Sequence, residues 1–473
     1  MALSADRKEK YQQANKQEYG DQYCGLRFPE HSELASATAY RRELLSRLSD
    51  KVMTGCLGTK LDMENLSPGC RTCVAGEWSC LFINGKCNGS CFYCPASQNK
   101  IGQPSTNGVT FTEPRDYVAY LERFKFRGAS ISGGEPLLTA ETSLRFIRAI
   151  KKYFGDQIHV WLYTNGILAN REMMMRLRDA GLDEIRFDIG ATAYNLRQLE
   201  QAAGLISTIT VEIPAIAEDR ERLKGMLRSL HDAGVRHLNL HQLRLTPHNC
   251  EKLLARGYRF LHGEKVTVLD SELAALEILL YGMQHDIDLP INYCAFPYKN
   301  RFQARAARCR NAPFIIKGHE AMTQNGFIRT LTLQGDTNML MRCCAAFDRS
   351  SDDKSLWKLG GSQDKLHFHP SLWPCVDAEN CSLTISYSAA YQRQSPGYRN
   401  PFVNVELSRK KKIAIERETH QPSYELSADQ ARDFAKIYFN ATAEPPSPAQ
   451  PGTILLRELA EYERTPEGLA EYY

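Results

Sequence analysis

The chain has 473 residues, 43% apolar and 24% charged, and its 59 Lys and Arg against 55 Asp and Glu leave a net charge of +4. That is chain enough for about three domains; the composition excludes wholesale disorder, and so small a charge offers no basic field for nucleic acid. No apolar run approaches the roughly 18 residues of a membrane span, and the polar start MALSADRKEKYQQANKQEYG is no secretory signal, so the expected compartment is the cytoplasm.

Residues 1–75 read as an N-terminal helical extension. Leu34, Tyr40, Leu44, Leu45 and Leu48 recur at helical spacing, predicting an amphipathic helix over Glu33–Val52 that packs on the next domain. From residue 76 the texture changes. Apolar runs at Ser79–Asn84, Gly128–Ser132, Ile158–Tyr163, Glu184–Ile189, Ile209–Ile216 and His237–Leu243 alternate with helical segments such as Tyr117–Phe124, Ser143–Tyr153, Met173–Ala180 and Arg220–Ala233. Six strand–helix units imply a parallel sheet with right-handed crossovers. The expected fold is α/β, a partial (β/α)6 TIM-like barrel with its chemistry at the C-terminal ends of the strands. This core and its extension run over 76–315, through the helix Ser271–His285, the run Ile291–Pro297 and the basic segment Lys299–Arg310. Residues 316–473 read as a β-rich C-terminal domain. It holds strands at Phe327–Leu333 and Phe402–Ile415, the latter folded at the basic turn Arg409–Lys412. Ser427 to Gln430 forms a capping box that starts a helix to about Phe439; Glu444–Gly452 is a Pro-rich linker, and Ile454–Tyr462 a last amphipathic helix.

Fifteen cysteines are unusual for such a chain, and eight of them lie in the first 94 residues. In a reducing compartment clustered cysteines point to metal or catalysis rather than disulfides. Cys87, Cys91 and Cys94 sit at i, i+4 and i+7 on a loop after the first barrel strand. Three thiolates so spaced can wrap one corner of a [4Fe–4S] cluster and leave its fourth iron without a protein ligand, whereas structural zinc takes four.

The C-x3-C-x2-C spacing with Tyr93 before its last cysteine resembles the radical S-adenosylmethionine (radical SAM) superfamily. Ser132-Gly133-Gly134-Glu135-Pro136 at the end of the second strand is similar to the family's GGEP motif, and Thr164-Asn165-Gly166 after the third to its TNG segment. A narrower likeness spans Gly69-Cys70 to Cys73, Asp183–Phe187, Val211–Pro214, Asn239-Leu240, Asn292–Cys294, Tyr298-Lys299 and Phe302-Gln303. It resembles a mostly archaeal group related to pyruvate formate-lyase activating enzyme.

The resemblance implies a [4Fe–4S] cluster and S-adenosylmethionine, an electron donor such as flavodoxin or ferredoxin, and a 5′-deoxyadenosyl radical that takes hydrogen from a small-molecule or peptide substrate. The sulfonium's amino nitrogen and carboxylate would chelate the open iron. Gly133 and Gly134 would let backbone approach that amino group. Glu135 would serve an ammonium or a neighbouring loop, and Thr164 and Asn165 the ribose or carboxylate. Arg186 matches a carboxylate fork. Glu212, Asn239, His241, Gln242 and Arg244 sit near strand ends that face the site of a barrel.

Cys70 and Cys73 form a C-x2-C pair that reads either as buried thiols or as half of an auxiliary [4Fe–4S] or zinc site, with Cys294 and Cys309 as the other half. Cys80 reads as a core thiol, and Cys24, Cys56 and Cys250 have no partner spacing. Cys343, Cys344, Cys375 and Cys381 read as packing, with a metal or hydrogen-donor role as the sharper option. Lys299–Arg310 reads as a solvated face or as an anchor for an anionic substrate. Two other function classes compete: an iron–sulfur electron-transfer protein without S-adenosylmethionine chemistry, which would need no glycine-lined cleft, and a zinc-stabilised nucleic-acid binder, against which the net charge argues.

Overall fold

The apolar runs between residues 78 and 294 build one parallel sheet in a computed structural model that describes residues 5–49, 52–62, 65–377, 382–439 and 453–472. Cys381 and the Pro-rich segment 444–452 lie outside the described residues. The chain divides into two compact units: Met1–Thr106 with Thr110–Gln303 and Glu467–Tyr473, and Asn107–Val109 with Ala304–Pro466.

The first unit opens with α1 (Ala5–Tyr19), α2 (His31–Leu48), the hairpin β1 (Thr54–Gly55) and β2 (Lys60–Leu61), and α3 (Pro68–Val74). Then β3 (Trp78–Phe82), β4 (Gly128–Ser132), β5 (His159–Thr164), β6 (Glu184–Phe187), β7 (Thr208–Pro214), β8 (His237–His241) and β9 (Ile291–Cys294) lie side by side in chain order, all parallel. That order, with helices in the crossovers, is the partial β/α barrel expected. Ala129, Ile131, Val160, Leu162, Ile185, Val211 and Leu238 are wholly buried, the mark of strands covered on both faces.

The crossover helices are amphipathic for the same reason. The helix Ala140–Phe154 buries Leu144, Phe146, Ile147 and Ile150 and leaves Lys152 exposed, and Asn170 caps Arg171–Asp179 by accepting from the Met173 N–H.

The sheet has seven parallel strands, one more than the six expected. The helix Leu269–Gln284 before β9 is apolar almost all round, which marks a buried helix. It packs against α2 and the helix Arg220–Asp232, so the N-terminal extension belongs to the first unit. β2 adds to β9 antiparallel, with Lys60 opposite Cys294. The end of the chain also returns here: Tyr472 donates to Glu272, and Arg41 stacks on its ring.

The second unit is a sheet in the order Trp357–Leu359, Lys365–Phe368, Ile328–Gln334, Ser382–Arg393, Lys411–Leu426, Phe402–Ser408, with Glu320–Met322 paired to Ile328–Gln334. The hairpin turns at Arg409 and Lys410, and the Ser427 capping box starts the helix Ala428–Tyr438. The helix Thr337–Ser350 carries Cys343 into the core, while Cys344 and Cys375 pack at its margin. Among the described residues no helix is long and apolar enough to cross a membrane.

Candidate active site

The loop that carries Cys87, Cys91 and Cys94 is zipped backbone to backbone onto the loop after β4. Ile83 N–H donates to Ser132 O (2.7 Å), Gly134 N–H to Asn84 O (2.8 Å) and Glu135 N–H to Lys86 O (2.8 Å). A Cβ on Gly133 would lie 2.3 Å from Asn84 O, and one on Gly134 2.2 Å from Lys86 O. The glycine pair therefore lets two protein backbones meet, a closer constraint than approach to a ligand.

Glu135 is fully buried beneath the cleft. Its carboxylate accepts from Leu137 N–H (2.9 Å), the Thr164 hydroxyl (2.9 Å) and Asn165 N–H (2.7 Å). Of the two partners expected for it, the structure supplies the neighbouring loop. Asn165, so fixed, donates through Nδ2 to Asn88 Oδ1 (2.8 Å) and to Cys87 Sγ (3.4 Å), and Gly89 N–H also points at that sulfur (3.3 Å). At the far end of the loop the Tyr93 hydroxyl donates to both Asp188 oxygens (2.8 and 3.0 Å), and Asn249 Nδ2 to Tyr93 O.

The three thiols, Tyr93, Ser132, Gly133, Gly134 and Pro136 open onto one cleft of about 590 Å³ at the C-terminal ends of the strands. Thr164 and Asn165 line it too. So do Arg186, Glu212 and Asn239, and beyond them Cys70, Cys73 and Cys294. Cys309 lies in the second unit under the turn at Gly326, where an added Cβ would meet its Sγ at 2.9 Å. Cys80, expected in the core, faces the cleft, because β3 turns Trp78, Cys80 and Phe82 to one side and buries Ser79 and Leu81 on the other.

The cleft floor is charged and self-paired. Arg186, buried, holds Glu184 (2.8 Å) and Glu212 (2.6 Å) and donates to Ser67 Oγ (3.0 Å). Its fork is thus engaged by the protein's own carboxylates. Burial pushes Glu184 toward neutrality, but Arg186 and His159 outweigh it and hold the carboxyl below its usual range. Asn239 bridges Glu212 Oε2 (3.1 Å) and Cys70 Sγ (3.2 Å). His241 is neutral, its pKa lowered to about 3 by burial and by Lys299. Of the basic segment, Lys299 lines the cleft, whereas Arg305 and Arg308 donate to Gln324 and Asn325 in the second unit.

Asp188 is a cleft residue the sequence reading misses. Burial raises its pKa to about 6 against the pull of the Tyr93 hydroxyl. Its place as the first residue after a barrel strand is a signal that points to it.

Residues 81–236 match the model of the radical SAM superfamily. Over that segment the chain carries a radical SAM domain. A Methanocaldococcus jannaschii protein provisionally named a glycyl-radical enzyme activating enzyme is 28% identical over 307 residues, 62% of this chain and 77% of the relative. A Methanococcus aeolicus protein provisionally named a GTP 3′,8-cyclase is 36% identical over 108 residues, 23% of this chain and 35% of the relative. Among solved structures, Streptococcus suis SuiB bound to S-adenosylmethionine aligns over 49% of this chain and 56% of its own, at 10% identity and a TM-score of 0.37. The chain thus spans about half of that solved structure and about a third of the cyclase. Its radical SAM domain is that of an enzyme. The donor set suits the superfamily's [4Fe–4S] cluster: three thiols on one loop, a cleft beside them, and N–H groups of Gly89 and Asn165 aimed at Cys87 Sγ.

Proposed function

We propose that Cys87, Cys91 and Cys94 hold a [4Fe–4S] cluster in this cleft and that S-adenosylmethionine binds beside it along Ser132–Pro136, Thr164 and Asn165. When bound, the reduced cluster supplies the electron that splits the sulfonium into methionine and a 5′-deoxyadenosyl radical. The observation that carries this reading is the Glu135 clasp, which ties the glycine loop, the Asn165 turn and the Cys87 sulfur into one rigid wall.

The chain's residues do the positioning. Asn165 Nδ2 and Gly89 N–H bias electron density on Cys87 Sγ through hydrogen bonds. The zipped backbones of 83–86 and 132–135 hold the cysteine loop at fixed distance from the cleft wall. Tyr93 and Asp188 brace its other end. Glu212 and Asn239, fixed by Arg186, present polar atoms for adenosyl or substrate contacts. The cleft walls would hold the radical beside its substrate and away from other hydrogen donors.

The substrate in this reading is a small molecule or a peptide, with Lys299 as an anchor for a negative group. The electron donor is a small redox protein of the flavodoxin or ferredoxin kind, and the compartment is the reducing cytoplasm. Cys70, Cys73 and Cys294 form a second metal centre, a [4Fe–4S] cluster or zinc.

The test is anaerobic reconstitution with iron and sulfide, then reduction in the presence of S-adenosylmethionine. Release of 5′-deoxyadenosine and methionine is expected, and Cys91→Ala abolishes it. Protein with a full cluster that releases neither product overturns the reading.

A further inference from the structure

We infer that the second centre is an iron–sulfur cluster whose four ligands are Cys56, Cys70, Cys73 and Cys294, with Cys56 and not Cys309 completing the set. This rests on the second centre proposed for Cys70, Cys73 and Cys294. A lone cysteine without partner spacing in the sequence becomes a neighbour through strand pairing. β2 lies antiparallel to β9 with Lys60 opposite Cys294, and β1 lies antiparallel to β2 with Gly55 opposite Lys60. Cys56 follows Gly55 directly, at the start of a tight turn. Thr59 closes that turn through its N–H to Gly55 O (3.2 Å) and its hydroxyl to Cys56 O (2.8 Å). Cys56 is half-buried there.

Lys60 decides the chemistry of the group. Its side chain is buried, with only 1% of the residue exposed, and Nζ sits 2.6 Å from Cys294 Sγ and 4.9 Å from the centre of the Tyr298 ring. Among the described residues no carboxylate pairs with it. A buried ammonium demands negative charge, and the groups around it are thiols.

The sulfurs are also wrapped in donors. Tyr298 OH lies 3.1 Å and Gln303 Nε2 3.6 Å from Cys73 Sγ, and Asn239 donates to Cys70 Sγ. Asn292 Nδ2 reaches Cys294 Sγ at 3.6 Å and Asn239 Oδ1 at 3.0 Å. Hydrogen-bond donors around thiolate sulfur are what a bound cluster uses. Several thiolates at one place repel one another unless metal neutralises them. Zinc would draw its four sulfurs to about 2.3 Å from one ion. A cluster spreads its ligands wider.

Iron and acid-labile sulfide are counted per chain on the full-length protein after anaerobic reconstitution. Two clusters give about eight irons, and a variant with Cys87, Cys91 and Cys94 all changed to Ala keeps about four. In that background Cys56→Ser, which keeps the turn's volume, removes the remaining cluster or converts it to a three-iron form seen by EPR, while Cys309→Ala leaves it intact. Alkylation followed by mass spectrometry checks the same point without a substitution: Cys56 is protected in reconstituted wild-type protein and labelled after the iron is stripped. About four irons in the wild type, or one zinc in place of iron, overturns the second cluster. About four irons retained in the Cys56→Ser background variant, or Cys56 labelled equally in both states, overturns Cys56 as ligand and leaves the three-thiol centre standing. Failure of 5′-deoxyadenosine release with both clusters present would strike the first site alone.

Discussion

Glu135 carries more of the site than any residue that touches the cleft. It is one buried carboxylate with three donors, from Leu137, Thr164 and Asn165, and nothing else on the two loops can replace it. Glu135→Ala leaves those donors without a partner in a buried place, each worth about 1–3 kcal/mol. Thr164 can turn its hydroxyl to another acceptor, so the expected loss is at the lower end, about 3 kcal/mol in all. Asn165 then loses its anchor and with it the hydrogen bond to Cys87 Sγ. A shift of about 1 Å in such a loop costs on the order of a hundredfold in rate. Glu135→Gln keeps one accepting oxygen and should lose less of both. Thermal melting and the initial rate of 5′-deoxyadenosine formation on the two variants check this. A melting temperature unchanged in Glu135→Ala would mean that the loops are held by their backbone zipper alone.

At the scale of elements, α1 and the short strand Phe260–Leu261 are joined by polar contacts around one histidine. His262 Nδ1 meets Asn15 Oδ1 (3.2 Å), its Nε2 meets the Tyr23 hydroxyl (3.4 Å), and Phe28 stacks on its ring at 3.8 Å. Burial lowers its pKa to about 4. The folded state therefore favours the neutral ring, while the unfolded chain takes up a proton below about 6.5. Stability is full above that value, falls as the pH drops from about 6.5 to 4, and levels off below. His262→Gln, which cannot titrate, should flatten this part of the melting-temperature profile; an unchanged profile would place the acid sensitivity elsewhere. The elements themselves were unequally legible. Six barrel strands carry continuous apolar runs, and their sequence limits fall within two residues of the observed ends. β9 falls within the run Ile291–Pro297 but is not counted among the barrel strands, because its four residues, Ile291 to Cys294, include polar side chains and follow a helix with no polar face. Ser382–Arg393 alternates small polar and apolar residues, a pattern that marks a half-buried strand, and the sequence reading passes over it. The Cys87 loop was legible because its ligands are local in sequence. Lys60, Asp188 and the place of Cys56 were not, since two-residue strands carry no periodic signal and pairing between distant segments leaves no spacing to read.

Over the whole molecule, the chain leaves the first unit after Gln303, builds the second, and returns at Glu467. The return is a seal made of specific contacts. Gly468 N–H donates to Leu57 O at 2.5 Å, Arg301 donates to Gly468 O (3.1 Å), and Arg41 donates to Ala470 O (2.9 Å). Tyr472 covers Arg41 and donates to Glu272 Oε1, which itself pairs with Arg41 at 2.8 Å. Ending the chain at Pro466 uncovers a buried ion pair and frees the Leu57 carbonyl next to Cys56. Exposing that pair to water weakens the fixed geometry between α2 and the helix Leu269–Gln284 that it joins. It also releases the turn that presents Cys56. The second unit has its own core of Leu331, Leu333, Phe347, Leu366, Phe368 and Ile385. Calorimetry of the truncated chain should show the transition of the first unit lowered by several degrees, as a loss of about 1–2 kcal/mol in a domain of this size predicts, and that of the second unit unmoved. Iron retained at the second centre should fall with it, while the Cys87 loop, braced by Glu135 and Asp188 far from the tail in sequence, keeps its cluster. A truncated chain that melts as the full one does would show the tail to be an ornament of the fold, and the hairpin to hold Cys56 by its own turn.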